Sequence, residues 1–277
     1  MHQGHAIYTT PVCVWGTSMI VVYRLFFVLA AMMCAPVIAL AQQSLVIATN
    51  IYPPYINEEV ENSFLPALLA EIGKEMDVTF EVKILPWKRC EQEVGDLGAW
   101  GAIPYTRNAE REMGFLFSDP LYVADSHFFA YRTPDDANRR PPPETYDDLT
   151  DLLPWRIGGI QGYYYQPLFE EAGLIVEYAH SERQNFQRLQ LGRIDLVPAA
   201  TTVGWHSIKT LFPPAIAANF YTLPKPLVED AALHLMTSKN YPNNHALLAR
   251  FNAALREVQG NGTFAQLVDQ FGLVMRY

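Results

Sequence analysis

Apolar residues at 64, 65, 68, 69, 72 and 76 recur with helical spacing, which predicts a helix over 64–76 with one buried face. Just after it, Val78, Phe80, Val82 and Ile84 alternate with Thr79, Glu81 and Lys83, the period of a half-buried strand. Leu45 to Thr49 predicts a first strand, broken by Tyr52-Pro53-Pro54-Tyr55, because proline cannot donate to a ladder. Trp87 to Leu97 reads as a helix opened by Pro86, and Trp100 to Ile103 as a third strand. A second series follows a polar, proline-rich linker at 133–144. Its strands are expected at 156–160, 175–178 and 194–197, and its helices at 165–172, 182–191 and 203–211. Ala231 to Met236 predicts a return strand, and helices over 244–259 and 263–271 close the chain around Gly260-Asn261-Gly262. Alternation of strand and helix predicts α/β architecture with parallel sheets.

The first 41 residues fall outside this pattern. Arg24 precedes an apolar run from Leu25 to Leu40 that ends in Ala39-Leu40-Ala41, the layout of a cleaved export signal. The run is short for a membrane span, which needs about 20 apolar residues. Met19 is a plausible start for that signal. Cleavage after Ala41 takes away Arg24 and no acid, so 19 basic and 29 acidic residues remain, a net charge of −10 against −9 for the whole chain. An acidic chain disfavours a nucleic-acid partner. Of the cysteines, Cys13 and Cys34 go with the signal, so Cys90 has no internal disulfide partner. Cys90 falls inside a predicted helix and reads as packed rather than nucleophilic. No histidine pair has metal-ligand spacing, and Gly260-x-Gly262-x-x-Ala265 follows a helix rather than a strand, so neither metal nor dinucleotide cofactor is expected.

Open α/β sheets bind ligands beyond the carboxyl ends of their strands. The corresponding loops are 50–55, 104–111, 161–165 and 199–204. With 15 Tyr, 15 Phe and 5 Trp, the chain has aromatics to spare for a small-molecule pocket. The richest stretch runs from Arg111 to Arg132: an arginine, then Phe117-Ser118-Asp119-Pro120-Leu121-Tyr122, then a β-rich segment to Tyr131. On spacing alone, Arg111 reads equally as a surface arginine paired with Glu110 or Glu112.

Ala109-Glu110-Arg111 with the Phe117–Tyr122 run resembles the family-3 periplasmic solute-binding proteins of ABC importers, the lysine/arginine/ornithine-binding type. Supporting pieces are Ala48-Thr49-Asn50, Tyr52-Pro53-Pro54-Tyr55, Ile157-Gly158-Gly159-Ile160-Gln161-Gly162, Gly192-Arg193-Ile194-Asp195 and Asn261-Gly262-Thr263-Phe264. The resemblance spans 45–271. It implies a bilobal, type II periplasmic-binding-protein-like α/β fold with the ligand cleft between two open lobes. Lobe 1 would be 42–125 with 231–277 and lobe 2 would be 126–230. The two hinge segments would lie near 123–126 and 227–230.

The same resemblance assigns roles. Arg111 matches the arginine that grips a ligand carboxylate, which suits a planar guanidinium with parallel donors. Thr106 matches a hydroxyl against that carboxylate, with Tyr105 beside it. Tyr52 matches an aromatic that packs on the ligand, with Tyr55 three residues on. Gln161, Gly162, Tyr163 and Tyr164 match the second-lobe loop, where the family usually has Ser or Thr after the glycine. Departures are equally specific. Ala200 stands where amino-acid binders place an acid for the α-ammonium, leaving Thr201 or Thr202 to hydrogen-bond without charge. Asn50 stands where basic-amino-acid binders carry aspartate, and Leu65 and Ala67 interrupt a Phe-Asp-x-Asp run. The expected ligand is therefore a small carboxylate with an apolar or aromatic body. The expected protein is a monomer exported to the periplasm that serves an ABC permease in the inner membrane. A sensor for a membrane receptor and a dehydratase-like enzyme on the same scaffold are the competing readings.

Overall fold

In the computed structural model the described residues are 1–2, 4–6, 43–132 and 141–277. The expected export signal lies almost wholly outside them, as does most of the expected linker at 133–144. Residues 42–277 form one unit and 1–41 another. Among the described residues no helix is long and apolar enough to cross a membrane.

In chain order, strand β1 is Gln43–Thr49, helix α1 Phe64–Met76, β2 Val78–Ile84, α2 Trp87–Gly95, β3 Gly101–Tyr105, α3 Ala109–Gly114, β4 Phe115–Phe117 and β5 Tyr122–Tyr131. Then follow β6 Ile157–Ile160, α4 Gln166–Glu171, β7 Val176–Ala179, α5 Glu182–Gln190, β8 Val197–Ala200, α6 Thr201–Leu211 and the short α7 Pro214–Ala217. β9 Phe220–Thr222, β10 Val228–Ser238, α8 Asn244–Gly260 and α9 Thr263–Gln270 complete the fold.

The apolar spacing of α1 has the expected effect: Phe64, Leu65, Leu68, Leu69, Ile72 and Met76 are all buried. Each large side chain removed from water contributes about 1.5–3 kcal/mol, so packing rather than capping holds this helix. Its N-cap, Ser63, makes no capping bond. Gly73 lets the helix lie close over β2, because a Cβ there would sit 2.8 Å from the Val78 carbonyl oxygen.

β2, β1 and β3 are parallel neighbours, as βαβ alternation demands. The sheet then turns mixed. β10 lies antiparallel to β3, β4 and β5, and β5 is antiparallel to β8 and β9. The eight-stranded sheet follows the path β2-β1-β3-β10-β5-β8, with β4 beside β10 and β9 beside β5, and so runs from one lobe to the other along the two long strands β5 and β10. Separately, β6 and β7 form a parallel pair. The fold is bilobal and of the type II periplasmic-binding-protein kind.

Two segments depart from the expected pattern. The strand expected at 194–197 is paired at Val197–Ala200 instead. Pro198 is tolerated because β8 ends the sheet path, where a missing N–H faces no partner. β4 and β9, three residues each, are too short to show a period.

β5 and β10 meet at Val228↔Ser126, Ala231↔Ala124, Ala232↔Val123 and Leu233↔Tyr122, with an irregularity between Val228 and Ala231. Asp230 takes a left-handed φ of 51° in that irregularity, and its N–H donates to Asp125 Oδ1 at 2.9 Å. The Arg276 guanidinium donates to both Asp125 oxygens at 3.1 Å and also pairs with Asp230.

Candidate functional site

Asn108 caps α3, its side chain accepting from the Arg111 N–H at 2.8 Å, which fixes the Arg111 backbone in the first turn. The side chain then turns inward, leaving the residue 6% exposed. Its guanidinium lies over the Tyr105 ring, 4.8 Å from the centroid. Nε donates to Glu91 at 3.2 Å, Nη1 to the Thr106 carbonyl at 3.1 Å and hydroxyl at 3.3 Å, and Nη2 to the Gly162 carbonyl at 3.0 Å. Neither Glu110 nor Glu112 is the partner; Glu112 pairs with Arg107 at the surface. Glu91, on α2, holds one edge of the guanidinium, Thr106 engages Nη1, and Nη2 reaches across to Gly162.

The Nη2 contact crosses from α3 to the loop after β6. That loop approaches α2 closely: a Cβ on Gly162 would lie 3.1 Å from the Lys88 backbone nitrogen, and its φ is +82°. Both facts call for glycine. Tyr163 packs edge-on against Trp87 at 6.0 Å, and Tyr52 meets the same indole at 5.4 Å.

Between these groups lies a cavity. Its wall includes Tyr52, Trp87, Tyr105, Thr106, Arg111, Gly162, Tyr163 and Tyr164. Measured by the room open to the centre of a water-sized sphere, it holds about 60 Å³. That is space for a few water molecules.

The structure does not bring four of the expected residues to this wall. Tyr55 is 2% exposed and stacks on Tyr122 at 4.8 Å. The turn at 52–55 sends the two tyrosines different ways, because Tyr55 and Ile56 both donate back to the Tyr52 carbonyl. Asn50 turns its side chain onto the Ile51 N–H at 2.8 Å. Gln161 is exposed. Thr201 donates to the Asp125 carbonyl at 3.1 Å and meets His127 Nδ1 at 2.9 Å, facing the hinge strand instead.

Pro104, Tyr165, Ala199 and Ala200 lie within loops expected at the cleft, while other wall residues were not foreseen: Tyr122, Ala124, Asp125 and Ser126 from β5, and Ala231 and Leu233 from β10. A period-two reading of β5 puts Tyr122, Ala124 and Ser126 on one face, the signal that finds them. Ala231 carries no such signal.

Apart from Arg111, the polar character here is mostly phenolic. Burial raises the Tyr52 hydroxyl well above its ordinary range, and the proximity of Tyr122, Glu182, Tyr55 and Tyr164 raises it further. Tyr164 is pushed up to about 12 by burial, although its donation to Ser126 Oγ at 2.6 Å opposes this. These phenols stay neutral at any physiological pH. Behind Tyr163, Glu182 accepts its hydroxyl, and burial pushes that carboxyl up to about 7. Among the described residues no group of three or more His, Cys, Asp or Glu could hold a metal ion.

A larger groove shares Thr106, Tyr164 and Ala231 with the cavity. On its wall Arg107 pairs with Glu112 and His234 meets the Ser118 carbonyl, while Glu110 lies beside them.

No curated protein matches the sequence. Solved structures do match in fold. An ancestral arginine-binding protein bound to arginine is 21% identical, with a TM-score of 0.67 over 82% of this chain and 97% of that one. The GluR0 ligand-binding core from Nostoc punctiforme in complex with (L)-glutamate is 17% identical, with a TM-score of 0.67 over 82% and 98%. A histidine kinase sensor domain with similarity to periplasmic binding proteins is 16% identical, with a TM-score of 0.72 over 85% and 98%. The sequence model for bacterial extracellular solute-binding proteins, family 3, matches residues 45–274, and the chain belongs to that family.

Proposed function

We propose that the protein is exported through its first 41 residues and captures a small carboxylate-bearing solute outside the cytoplasm for an ABC-type importer in the inner membrane. One observation carries the reading: a single arginine, buried in the cavity wall and fixed by Glu91 and Tyr105, spans the cavity edge from Thr106 to the Gly162 carbonyl. A carboxylate there would compete with the Gly162 carbonyl for Nη2 and draw on Thr106 as a further donor. Tyr52, Tyr105, Tyr163 and Tyr164 would enclose the rest of the ligand. The protein acts by binding and closure, without turnover, as one polypeptide. Arginine and glutamate are the ligands named for the similar structures. With alanine at position 200, this wall suits an amino-acid cation poorly.

Isothermal titration against amino acids and organic acids, guided by mass spectrometry of solute released from natively purified protein, tests the proposal. A small acid should bind, and Arg111→Ala should weaken it by about thirtyfold or more, since losing a buried charged partner costs about 2–5 kcal/mol. Arg111→Lys should recover little, because an ammonium lacks the two parallel donors. Tight binding of lysine or arginine, or full affinity in Arg111→Ala, overturns it. Failure of solute uptake on deletion of the gene separates delivery to an importer from signalling to a receptor.

A further inference from the structure

We propose that the captured solute is a carboxylic acid whose second polar group is an uncharged oxygen, a hydroxyl or a carbonyl, recognised by the Tyr122 hydroxyl. This rests on the reading of Arg111 as the carboxylate site.

Tyr122 is 1% exposed and forms part of the cavity wall. Among the described residues its hydroxyl is the one buried side-chain nitrogen or oxygen without a hydrogen-bond partner. A buried hydroxyl that forgoes water without replacing it is a net cost to the fold, so such an atom calls for a reason. The ring cannot swing away to find a partner. It is stacked on Tyr55 at 4.8 Å, and its backbone is paired with Leu233 across β5 and β10.

Nothing on its own face of the strand can serve it. Ala124, two residues on, offers a methyl group, and so does Ala231 opposite Ala124. Ser126 comes next, four residues along the strand from Tyr122, and is paired with Tyr164. A phenol can donate to a carbonyl or accept from a hydroxyl, so either function on a solute would complete it.

The charges point the same way. Asp125 is the only acid in the wall, and both its oxygens are held by Arg276, with the Asp230 N–H on one of them. Glu91 is engaged by Arg111, and Glu182 lies behind Tyr163. An ammonium entering this space would lose its water and gain no free carboxylate.

Matched acids provide the test by isothermal titration. One set is 3-phenylpropanoate, its 2-hydroxy, 2-oxo and 4-hydroxyphenyl derivatives, and phenylalanine. The other is 4-methylpentanoate, its 2-hydroxy and 2-oxo derivatives, and leucine. In at least one set, a hydroxy or oxo acid should bind about fivefold tighter than the parent acid, the worth of one hydrogen bond, and the amino acid should bind more weakly than the parent. Tyr122→Phe should erase the advantage of the hydroxy or oxo acid over its parent. The ranking in the unaltered protein stands by itself if that variant does not fold. An amino acid ranking first and lost in Glu182→Gln overturns the inference, as does an unchanged ratio in Tyr122→Phe. If no acid of either set binds, the carboxylate reading of Arg111 falls, and the inference with it.

Discussion

Glu182 turns its carboxyl into protein rather than water, and with a carboxyl raised to about 7 it makes stability depend on pH. In the unfolded chain the same group titrates near the ordinary glutamate value of about 4.3. Between these two values the folded state holds the proton and the unfolded state has lost it. Stability from this group is therefore full below about pH 4 and declines as pH rises towards 7, by on the order of 1–3 kcal/mol. Thermal melts from pH 4.5 to 8 should show that decline, and Glu182→Gln should flatten it. At Gly162 the expected outcome is steric. Gly162→Ala forces a Cβ against the Lys88 backbone at a positive φ, so it should favour parted lobes. Titration should report weaker binding, small-angle scattering a larger radius, and the melting temperature should fall by several degrees, because alanine is strained at that φ in either lobe arrangement. Arg111 was legible through its place before the Phe117–Tyr122 run. Its partners were not, because Glu91 lies 20 residues away on another helix and Gly162 lies 51 residues away. Such pairs are made by tertiary packing and leave no local trace.

Among the elements, those with a long period were readable. The stripe of α1 and the alternation of β2 survive in the structure because each buries one face and wets the other. β8 was misplaced by three residues, since Ile194 and Leu196 are as apolar as a strand but Ile194 lies before the ladder and Leu196 makes only an isolated bridge to Ile157. At the β5–β10 crossing, one cation serves both segments: Arg276 bridges Asp125 and Asp230. Exposed pairs of this kind contribute about 0–1 kcal/mol, so Arg276→Ala should lower the melting temperature by only a few degrees at most. Its larger effect should fall on hinge geometry. Small-angle scattering of Arg276→Ala with and without the bound acid should show a wider spread of lobe separations than in the unaltered protein.

At the level of the whole molecule, one sheet passes through both lobes, so the halves share a backbone framework while their cores are built from separate clusters. Phe64, Trp100 and Phe251 anchor one, and Phe128, Tyr165 and Phe169 another. A solute touching both lobes stabilises them together. At a hundredfold excess over the dissociation constant, mass action adds about 2.7 kcal/mol, so differential scanning calorimetry should show a concentration-dependent rise in melting temperature. That rise should vanish in Arg111→Ala. Composition and alternation disclosed the two-part α/β layout early; the antiparallel return through β10 emerged only from pairing, because a strand's direction is not written in its hydrophobicity.

The four alanines of the cavity wall, Ala124, Ala199, Ala200 and Ala231, have a consequence for how selectivity changes. Most pockets acquire a new cargo by carving, which leaves a hole in a packed interior. Ala199 belongs to a lobe's core, but at the partly covered Ala124, Ala200 and Ala231 the route is accretion: a longer side chain there displaces little of the packed interior. Ala200→Asp would hang a carboxylate over the chamber, and Ala124→Ser a hydroxyl. Single coding changes at Ala124, Ala200 and Ala231 can therefore alter what the wall admits.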